Sequence, residues 1–246
     1  MKFMRTHLDS TVTFTGEQYL MYTWNNSKQN TLSSTADDIV IEFKTAFPSG
    51  LLMHAGPLHL SRSSRGYDYA HLAVRDGAVV YHVNLGGGRF HCTVRPHSGT
   101  FSDNQWHILH VQRTAQRVNI TIDGIYSNSS VIKGKYTRLD INGSIVVGGN
   151  HVENLFKKTA TQSPNFVGCL RNVKYSNDND EITFKRGSSD PKMKEIGSWG
   201  RAKNCKIVDP GAAIGFVTGT AYLELQHWDV KNSVSPSIEF KFRQEN

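Results

Sequence analysis

The sequence contains no stretch that approaches the roughly 20 consecutive apolar residues of a membrane-spanning helix. Its first residues, MKFMRTHLDS, also lack the apolar segment of a signal peptide. Taken alone, these two absences indicate a cytosolic chain. Triplets of the N-glycosylation type indicate the opposite, because such acceptors are used on secreted proteins. These triplets begin at Asn25, Asn119, Asn128 and Asn142.

Catalytic motifs are also absent. The chain has neither a G-x-S-x-G nor an H-E-x-x-H sequence, and no strand carries paired carboxylates of the E-x-D-x-E kind. The glycine-rich segment LGGGRF (85–90) lacks the Lys-Ser/Thr of a phosphate-binding loop and predicts a tight bend between strands. His107 and His110 are three residues apart, which on a strand places them on opposite faces and makes them poor zinc co-ligands. We therefore expect no enzyme.

Cysteine is scarce: the chain has only Cys92, Cys169 and Cys205, without a C-x-x-C pair or a His/Cys cluster at zinc spacing. Three cysteines allow three pairings with one residue left over. A disulfide between Cys169 and Cys205, 36 positions apart, would stabilise the fold by roughly 3–4 kcal/mol. Two buried thiols are the alternative. Cys92 is then expected to be a buried free thiol or, failing that, an intermolecular partner.

Charge is unbalanced, with 28 Lys and Arg against 21 Asp and Glu, a net charge of +7 and a pI near 9.3. Such an excess attracts acidic partners, including nucleic acids, anionic glycans and acidic proteins. A nucleic-acid site also needs aromatic residues among the basic ones and a helix or platform that reads bases. Neither is visible, so no nucleic-acid partner is predicted.

The chain does have a hydrophobic period of two along most of its length, with turn residues between short runs rich in β-branched and aromatic residues. These runs are DDIVIEFKT (37–45), YAHLAVRDGAVVYHVNL (69–85), HILHVQRT (107–114), VNITIDGIY (118–126), SIVVGG (144–149) and LRNVKYS (170–176). Asp76-Gly77 predicts a two-residue hairpin loop, and Asp123-Gly124 predicts a second hairpin with a loop of the same kind. The pattern predicts an all-β protein, either an antiparallel sandwich or a barrel.

One stretch of sequence occurs twice. FTGEQYLMYTW (14–24) is similar to VTGTAYLELQHW (217–228), and each is followed by a strand that contains Ile-Glu-Phe-Lys. Too few residues follow Cys205 to complete a second sandwich. We therefore predict one domain over residues 10–206 and the incomplete start of a second, similar domain over residues 207–246.

Several motifs, in order and spacing, resemble a laminin-G-like (LNS) domain. They are GLLMHAG (50–56), DYAHLAVRDGAVVYHVNLGGG (68–88), FSDNQWHILHVQR (101–113), ITIDG (120–124), IVVGG (145–149) and NFVGCLRNVKY (165–175). The resemblance implies an antiparallel β-sandwich of the jelly-roll, concanavalin-like type. It also implies that Cys169 is the family's structural half-cystine, with Cys205 as its partner.

Within that family the chain is most similar to the second LNS domain and the start of the third in α-neurexins, on the wording of SDPKMKEIGSW (189–199) and NFVGCLRNVKY (165–175). The resemblance implies an extracellular cell-adhesion module from the synaptic surface, in a single-pass membrane protein. It implies neurexophilin-like or dystroglycan-like protein partners. Laminin α chains, agrin and contactin-associated proteins share the fold, so a matrix domain that binds anionic glycans is the alternative. A carbohydrate-active enzyme of the same architecture is a second, more distant alternative.

The family binds one Ca²⁺ at the rim of the sandwich. Carried over by position, its ligands fall on the Asp68 side chain and on the backbone carbonyls of Leu85 and Arg138, with the Asp140 carboxylate nearby. Oxygen ligands suit Ca²⁺, and so small a set predicts a weak extracellular site. Arg62 and Arg65 lie in the preceding segment 57–66, where they could repel the metal.

Basic residues in predicted loops offer a second kind of site. If these loops meet at the rim, they form a cation-rich face suited to sulfated or phosphorylated glycans. The residues predicted to bind glycans are Arg62, Arg65, Lys157 and Lys158.

Overall fold

The computed structural model describes residues 11–23, 31–57, 67–150, 163–199 and 205. Their regular structure consists of sixteen β-strands. The first eight are β1 (Val12–Thr15), β2 (Tyr19–Thr23), β3 (Thr31–Ser34), β4 (Ala36–Lys44), β5 (Gly50–Gly56), β6 (Tyr69–Arg75), β7 (Ala78–Asn84) and β8 (Arg89–Val94). The others are β9 (Trp106–Thr114), β10 (Arg117–Ile122), β11 (Tyr126–Val131), β12 (Leu139–Asn142), β13 (Ser144–Val147), β14 (Val167–Asn177), β15 (Glu181–Phe184) and β16 (Met193–Ile196).

The strands form two large antiparallel sheets and one small one. The first sheet has the order β1-β14-β4-β9-β10-β11, with β15 beside β14, and the second has the order β16-β2-β13-β5-β6-β7-β8. Strands β12 and β3 form a separate pair. Residues of both large sheets share one hydrophobic core, so the fold is the predicted all-β sandwich and not a barrel.

Strand β4 shows how the sequence forms the core. Its inward positions Ile39, Ile41 and Phe43 are buried, whereas the intervening side chains are partly exposed. This alternation follows directly from the period-two pattern, because successive side chains of a strand point to opposite faces. On β9 the same rule buries His107 and turns His110 outward, as predicted.

The predicted hairpins are present, but their loops differ in length. Arg75 pairs with Ala78, which leaves Asp76 and Gly77 as the two-residue loop, both with positive φ. In the second hairpin Ile122 pairs with Tyr126, so the loop has three residues, including Ile125. There the backbone N–H of Ile125 donates to the Ile122 carbonyl at 3.1 Å, which closes the longer turn.

The second sheet departs from the simple pattern, because β5, β6 and β7 are buried on both faces apart from Arg75 at the end of β6. Their inward residues join the main core, while Leu51 and Val146 belong to a smaller cluster on the outer face. Near-continuous apolar runs are typical of strands that are covered on both sides. The outer face of β5, β6 and β7 is therefore buried as well, whereas that of the edge strand β8 is exposed at His91.

A fully buried ion pair joins β4 to β9. Arg113 lies 2.6 Å from Asp37, and the side chains of both are almost completely inaccessible. Asp37 also accepts hydrogen bonds from Tyr175 Oη at 2.8 Å and from Ser34 Oγ at 2.6 Å. The remaining guanidinium hydrogens reach backbone carbonyls, among them that of Thr137 at 3.1 Å. These contacts compensate for the burial of the two charges.

Cys169 and Cys205 form a disulfide, as predicted, and Cys92 is a free, buried thiol. The chain divides into two compact units, Met1–Pro210 and Gly211–Asn246. The predicted start of a second domain at 207–246 lies outside the described residues and stays a prediction. Among the described residues, no helix is long and apolar enough to cross a membrane.

Candidate ligand site at the rim of the sandwich

Asp68 lies at the rim, directly before β6. Its Oδ2 accepts a hydrogen bond from the backbone N–H of Asp140 at 2.9 Å, and this contact joins the start of β6 to β12. Ser33, opposite Asp140 in the β12–β3 pair, donates its hydroxyl hydrogen to the Asp140 carboxylate. Asp68 and Asp140, which are 72 residues apart in sequence, thus lie side by side at one end of the fold.

The glycine-rich bend between β7 and β8 lies beside Asp68. Asn84 Oδ1 accepts hydrogen bonds from the backbone N–H groups of Gly86 and Gly88, both at 3.0 Å. Its amide also donates to the Tyr67 carbonyl at 3.1 Å. A Cβ atom placed on Gly86 would lie 3.4 Å from Asp68 Oδ1, so the bend that contains Leu85 is adjacent to this carboxylate.

The third part of the rim is the loop between β11 and β12. Its residues 133–138, KGKYTR, are all exposed. Arg138 Nε lies 3.8 Å from Asp140 Oδ1 and 3.1 Å from Ser33 Oγ, so the guanidinium competes with any other cation for Asp140. The Tyr136 ring lies against Gly87, since a Cβ atom there would be 3.1 Å from it.

The negative charge of Asp68 is disfavoured by its surroundings. Burial raises the pKa of Asp68, the N–H of Asp140 opposes that shift, and the nearby Asp140 carboxylate adds to it. A carboxylate whose charge is disfavoured by burial and by a like charge gains from a bound cation. Among the described residues, no group of three or more His, Cys, Asp or Glu could hold a metal. Carbonyls and water would therefore supply the other ligands, and this all-oxygen set fits Ca²⁺.

The structure thus places Asp68 beside Asp140 and beside the bend that contains Leu85, whereas Arg138 is located by its side-chain contact with Asp140. The metal site itself stays a prediction. The residues predicted to bind glycans, Arg62, Arg65, Lys157 and Lys158, lie outside the described residues. Sequence reasoning missed the exposed tyrosines Tyr67 and Tyr136, which flank Asp68 and the glycine bend. It also missed the basic loop 133–138, although the alternation of Lys with Gly and Tyr in KGKYTR was a usable signal.

The glycosylation triplets differ in accessibility. Asn142 is exposed, whereas Asn119 and Asn128 are partly buried. The Asn128 amide nitrogen, to which a glycan would be attached, donates to the Thr93 carbonyl at 2.9 Å. Asn25 lies outside the described residues. All four stay predictions, and the geometry favours Asn142.

A row of histidines on the outer face of the second sheet was also missed. We name His54, His71, His82 and His91 the histidine row, because each lies directly opposite the next on β5 to β8. The Asp76-Gly77 loop fixes the pairing of His71 with His82, so this pair could have been found by counting from the turn.

The model of the laminin G domain family matches residues 43–178. Neurexin-3a of Danio rerio is 32% identical over 256 residues, and the match covers 97% of this chain. Neurexin-2 of Homo sapiens is 29% identical over 253 residues, with 95% of this chain covered. This chain spans 14% of the length of each of these relatives.

Two solved structures have the same fold. Domains LG4-5 of the mouse laminin alpha1 chain match with a TM-score of 0.55 at 19% identity, covering 76% of this chain and 46% of that chain. The LG1-3 region of the laminin alpha2 chain matches with a TM-score of 0.53 at 20% identity, and the match covers 71% of this chain and 34% of that chain. At these identities the likeness shows the fold alone.

Proposed function

The chain belongs to the laminin G domain family, and from this premise we propose that it recognises protein or glycan ligands at a rim site that depends on Ca²⁺. As a laminin G domain with neurexin relatives, it is an extracellular binding module without catalytic activity. The observation that supports the rim is the contact between Asp68 and the backbone of Asp140, beside the glycine-rich bend.

The carboxylates of Asp68 and Asp140 would hold the ion, together with the carbonyls of Leu85 and Arg138. Ca²⁺ would supply a fixed positive charge that attracts carboxylate, sulfate, phosphate or hydroxyl groups of a ligand. The Arg138 guanidinium already lies 3.8 Å from Asp140, so it lowers the affinity for a cation. We expect a dissociation constant on the order of 10⁻⁴ to 10⁻³ M, the range of extracellular modules.

Calcium titration of the 246-residue chain, secreted so that the disulfide forms, tests the rim site. We expect Asp68→Asn to weaken Ca²⁺ binding by about tenfold or more, because it removes the carboxylate charge; this factor equals about 1.4 kcal/mol. Isothermal calorimetry measures the loss, and Asp180→Asn is the matched control.

Asp180 is an exposed aspartate in the β14–β15 turn, on the first sheet. Equal Ca²⁺ affinities for the wild type, Asp68→Asn and Asp180→Asn would rule out the rim site. Absence of binding in all three would move the search for partners to contacts that do not require calcium.

The resemblance to neurexins supports a parent protein that is anchored at the cell surface by one membrane span and acts in synaptic adhesion. Neurexophilin-like and dystroglycan-like proteins are the partners that this resemblance favours. Binding of each to the immobilised domain, with Ca²⁺ and with a chelator, would separate the two, because only a ligand held through the rim ion should respond to the chelator.

A second candidate function is binding of anionic glycans, as in matrix laminin G domains. It is favoured by the basic loop 133–138, in which Lys133, Lys135 and Arg138 are exposed beside Tyr136. Lys135 Nζ lies 5.7 Å from the centroid of the Tyr136 ring. The ammonium groups can bind sulfate groups, and the exposed aromatic ring beside them can pack against the face of a sugar.

We expect the double variant Lys133→Gln/Lys135→Gln to bind heparin more weakly, because two charges that face the glycan are lost. If each contributes about 0.5–1 kcal/mol, as exposed ion pairs do, the affinity falls roughly fivefold to thirtyfold. Heparin-affinity elution against salt measures the change. The exposed Lys174 and Lys185 provide the control Lys174→Gln/Lys185→Gln, which also removes two charges, and an equal effect there would show that net charge alone drives the binding.

A further inference from the structure

The histidine row runs from the interior of the second sheet to its open edge. The centroids of successive rings are 5.6, 6.1 and 5.8 Å apart. His54 and His71 are inaccessible and His82 is 9% exposed, whereas His91 on the edge strand β8 is exposed. Solvent and ions therefore reach the row at His91.

The two ends of the row differ in their hydrogen bonds. At the inner end His71 Nε2 lies 3.3 Å from Ser163 Oγ. At the outer end, no described residue is hydrogen-bonded to a ring nitrogen of His82 or His91. These rings contact each other with an interplanar angle of 37°.

The spacing of the His82 and His91 rings and the charge state of His82 both suit a pair of metal ligands. A metal bonded at about 2.0–2.1 Å to one nitrogen of each ring would lie between rings at roughly this separation. Histidine binds a metal only in its uncharged form. Burial, then His91, then Arg75 and Arg89 lower the pKa of His82 to about 4, so its ring is uncharged at neutral pH.

We propose that His82 and His91 form a two-ligand site for a transition metal ion, Zn²⁺ or Cu²⁺, at the exposed edge of the second sheet. Among the described residues no set of three or more metal-binding side chains is present, so water or a donor from a partner completes the coordination. Imidazole nitrogen favours Zn²⁺ and Cu²⁺, whereas Ca²⁺ prefers oxygen, so this site is chemically distinct from the rim.

Nearby positive charges restrict which metal ions can bind at this site. Arg75 and Arg89 lie close enough to lower the pKa of His82, and they repel a metal ion for the same reason that they repel a proton. Only an ion that bonds strongly to imidazole overcomes this repulsion. Arg89→Gln should therefore bind Zn²⁺ more tightly than the wild type does.

Zinc titration of the full chain at neutral pH tests the proposal. We expect one Zn²⁺ at this site, a loss of affinity of at least about tenfold in His91→Gln, and none in His97→Gln. His97 is the matched control, because it is also exposed and its ring contacts an aromatic ring, that of Tyr126. Thermal unfolding without metal should be the same for the three proteins, since both substitutions are at the surface.

Nuclear magnetic resonance of the histidine ring nitrogens identifies the ligands. Zinc should shift the signals of His82 and His91, and Cu²⁺ should displace the bound Zn²⁺. Millimolar Ca²⁺ should leave these signals unchanged. Equal zinc affinity in the wild type and His91→Gln overturns the proposal. So does a zinc response confined to histidines outside the row.

Discussion

Replacing Arg113 with methionine is expected to lower the free energy of unfolding by about 3–5 kcal/mol, as is typical when one partner of a buried ion pair is removed. The carboxylate of Asp37 would remain buried, with Tyr175 and Ser34 as its remaining hydrogen-bond donors among the described residues. The carbonyls of Ala115 and Thr137, which Arg113 Nη1 contacts at 2.9 and 3.1 Å, would lose a donor as well.

Urea unfolding, with the midpoint and the slope compared between proteins, measures this loss. The control is Arg117→Met on β10, an exposed arginine whose replacement should change the stability by no more than about 0.5 kcal/mol. Replacing both partners, as Arg113→Met with Asp37→Leu, should recover part of the loss because no charge is left buried. Equal stabilities of Arg113→Met and Arg117→Met would contradict this account.

Acidification is expected to destabilise the domain through the histidine row. Burial lowers the pKa of His54 to about 4, and burial with the neighbouring His91, Arg75 and Arg89 does the same for His82. His71, between them, has its pKa lowered well below the ordinary value by burial and by both neighbours. Tyr69 stacks on His54 and brings no acidic group to offset the charge.

The direction of the pH dependence of stability follows from the lowered pKa values of these histidines. Above pH 6.5 these rings are uncharged in the folded and unfolded chain, so their stabilising contribution is complete. Between pH 6.5 and about 4 the unfolded chain takes up protons that the folded chain does not bind, and stability falls. One pKa unit corresponds to about 1.4 kcal/mol, so His54 alone accounts for about 3 kcal/mol. His82 adds to the loss in the same direction.

Unfolding free energies at pH 7.5 and about pH 4 measure the effect. The variant His54→Gln cannot take up this proton, so its stability should fall by about 3 kcal/mol less than that of the wild type over the same interval. His97→Gln, altered at an exposed position, should keep the wild-type pH dependence. If His54→Gln follows the wild-type profile, the row does not control acid stability.

Local chemistry made much of this fold predictable. The period of two in β4 determines which residues enter the core, and Asp76-Gly77 determines the pairing of β6 with β7. The loop of the second hairpin was predicted one residue too short, because Asp-Gly is compatible with loops of two or three residues. Burial of the outer face of β5 to β7 depends on which segments pack against it, and a local sequence pattern does not predict this.

The rim site was predictable only in part. Asp68 and Asp140 meet because β6 and β12 begin at the same side of the sandwich, and strand order sets this, not local sequence. The resemblance to laminin G domains supplied that information. The role of Asn84, which holds the glycine bend through Gly86 and Gly88, depends on a side-chain orientation that the sequence does not reveal.

The disulfide also determines how the domain carries a mechanical load. Thr13 of β1 lies opposite Cys169 of β14, and the sulfur bridge joins Cys169 to Cys205. Tension applied before β1 and after Cys205 therefore passes through one strand pair and one covalent bond. Residues 170–199, the second sheet and the rim at Asp68 lie off this force path. A domain built in this way can be pulled along its chain with little load on that rim.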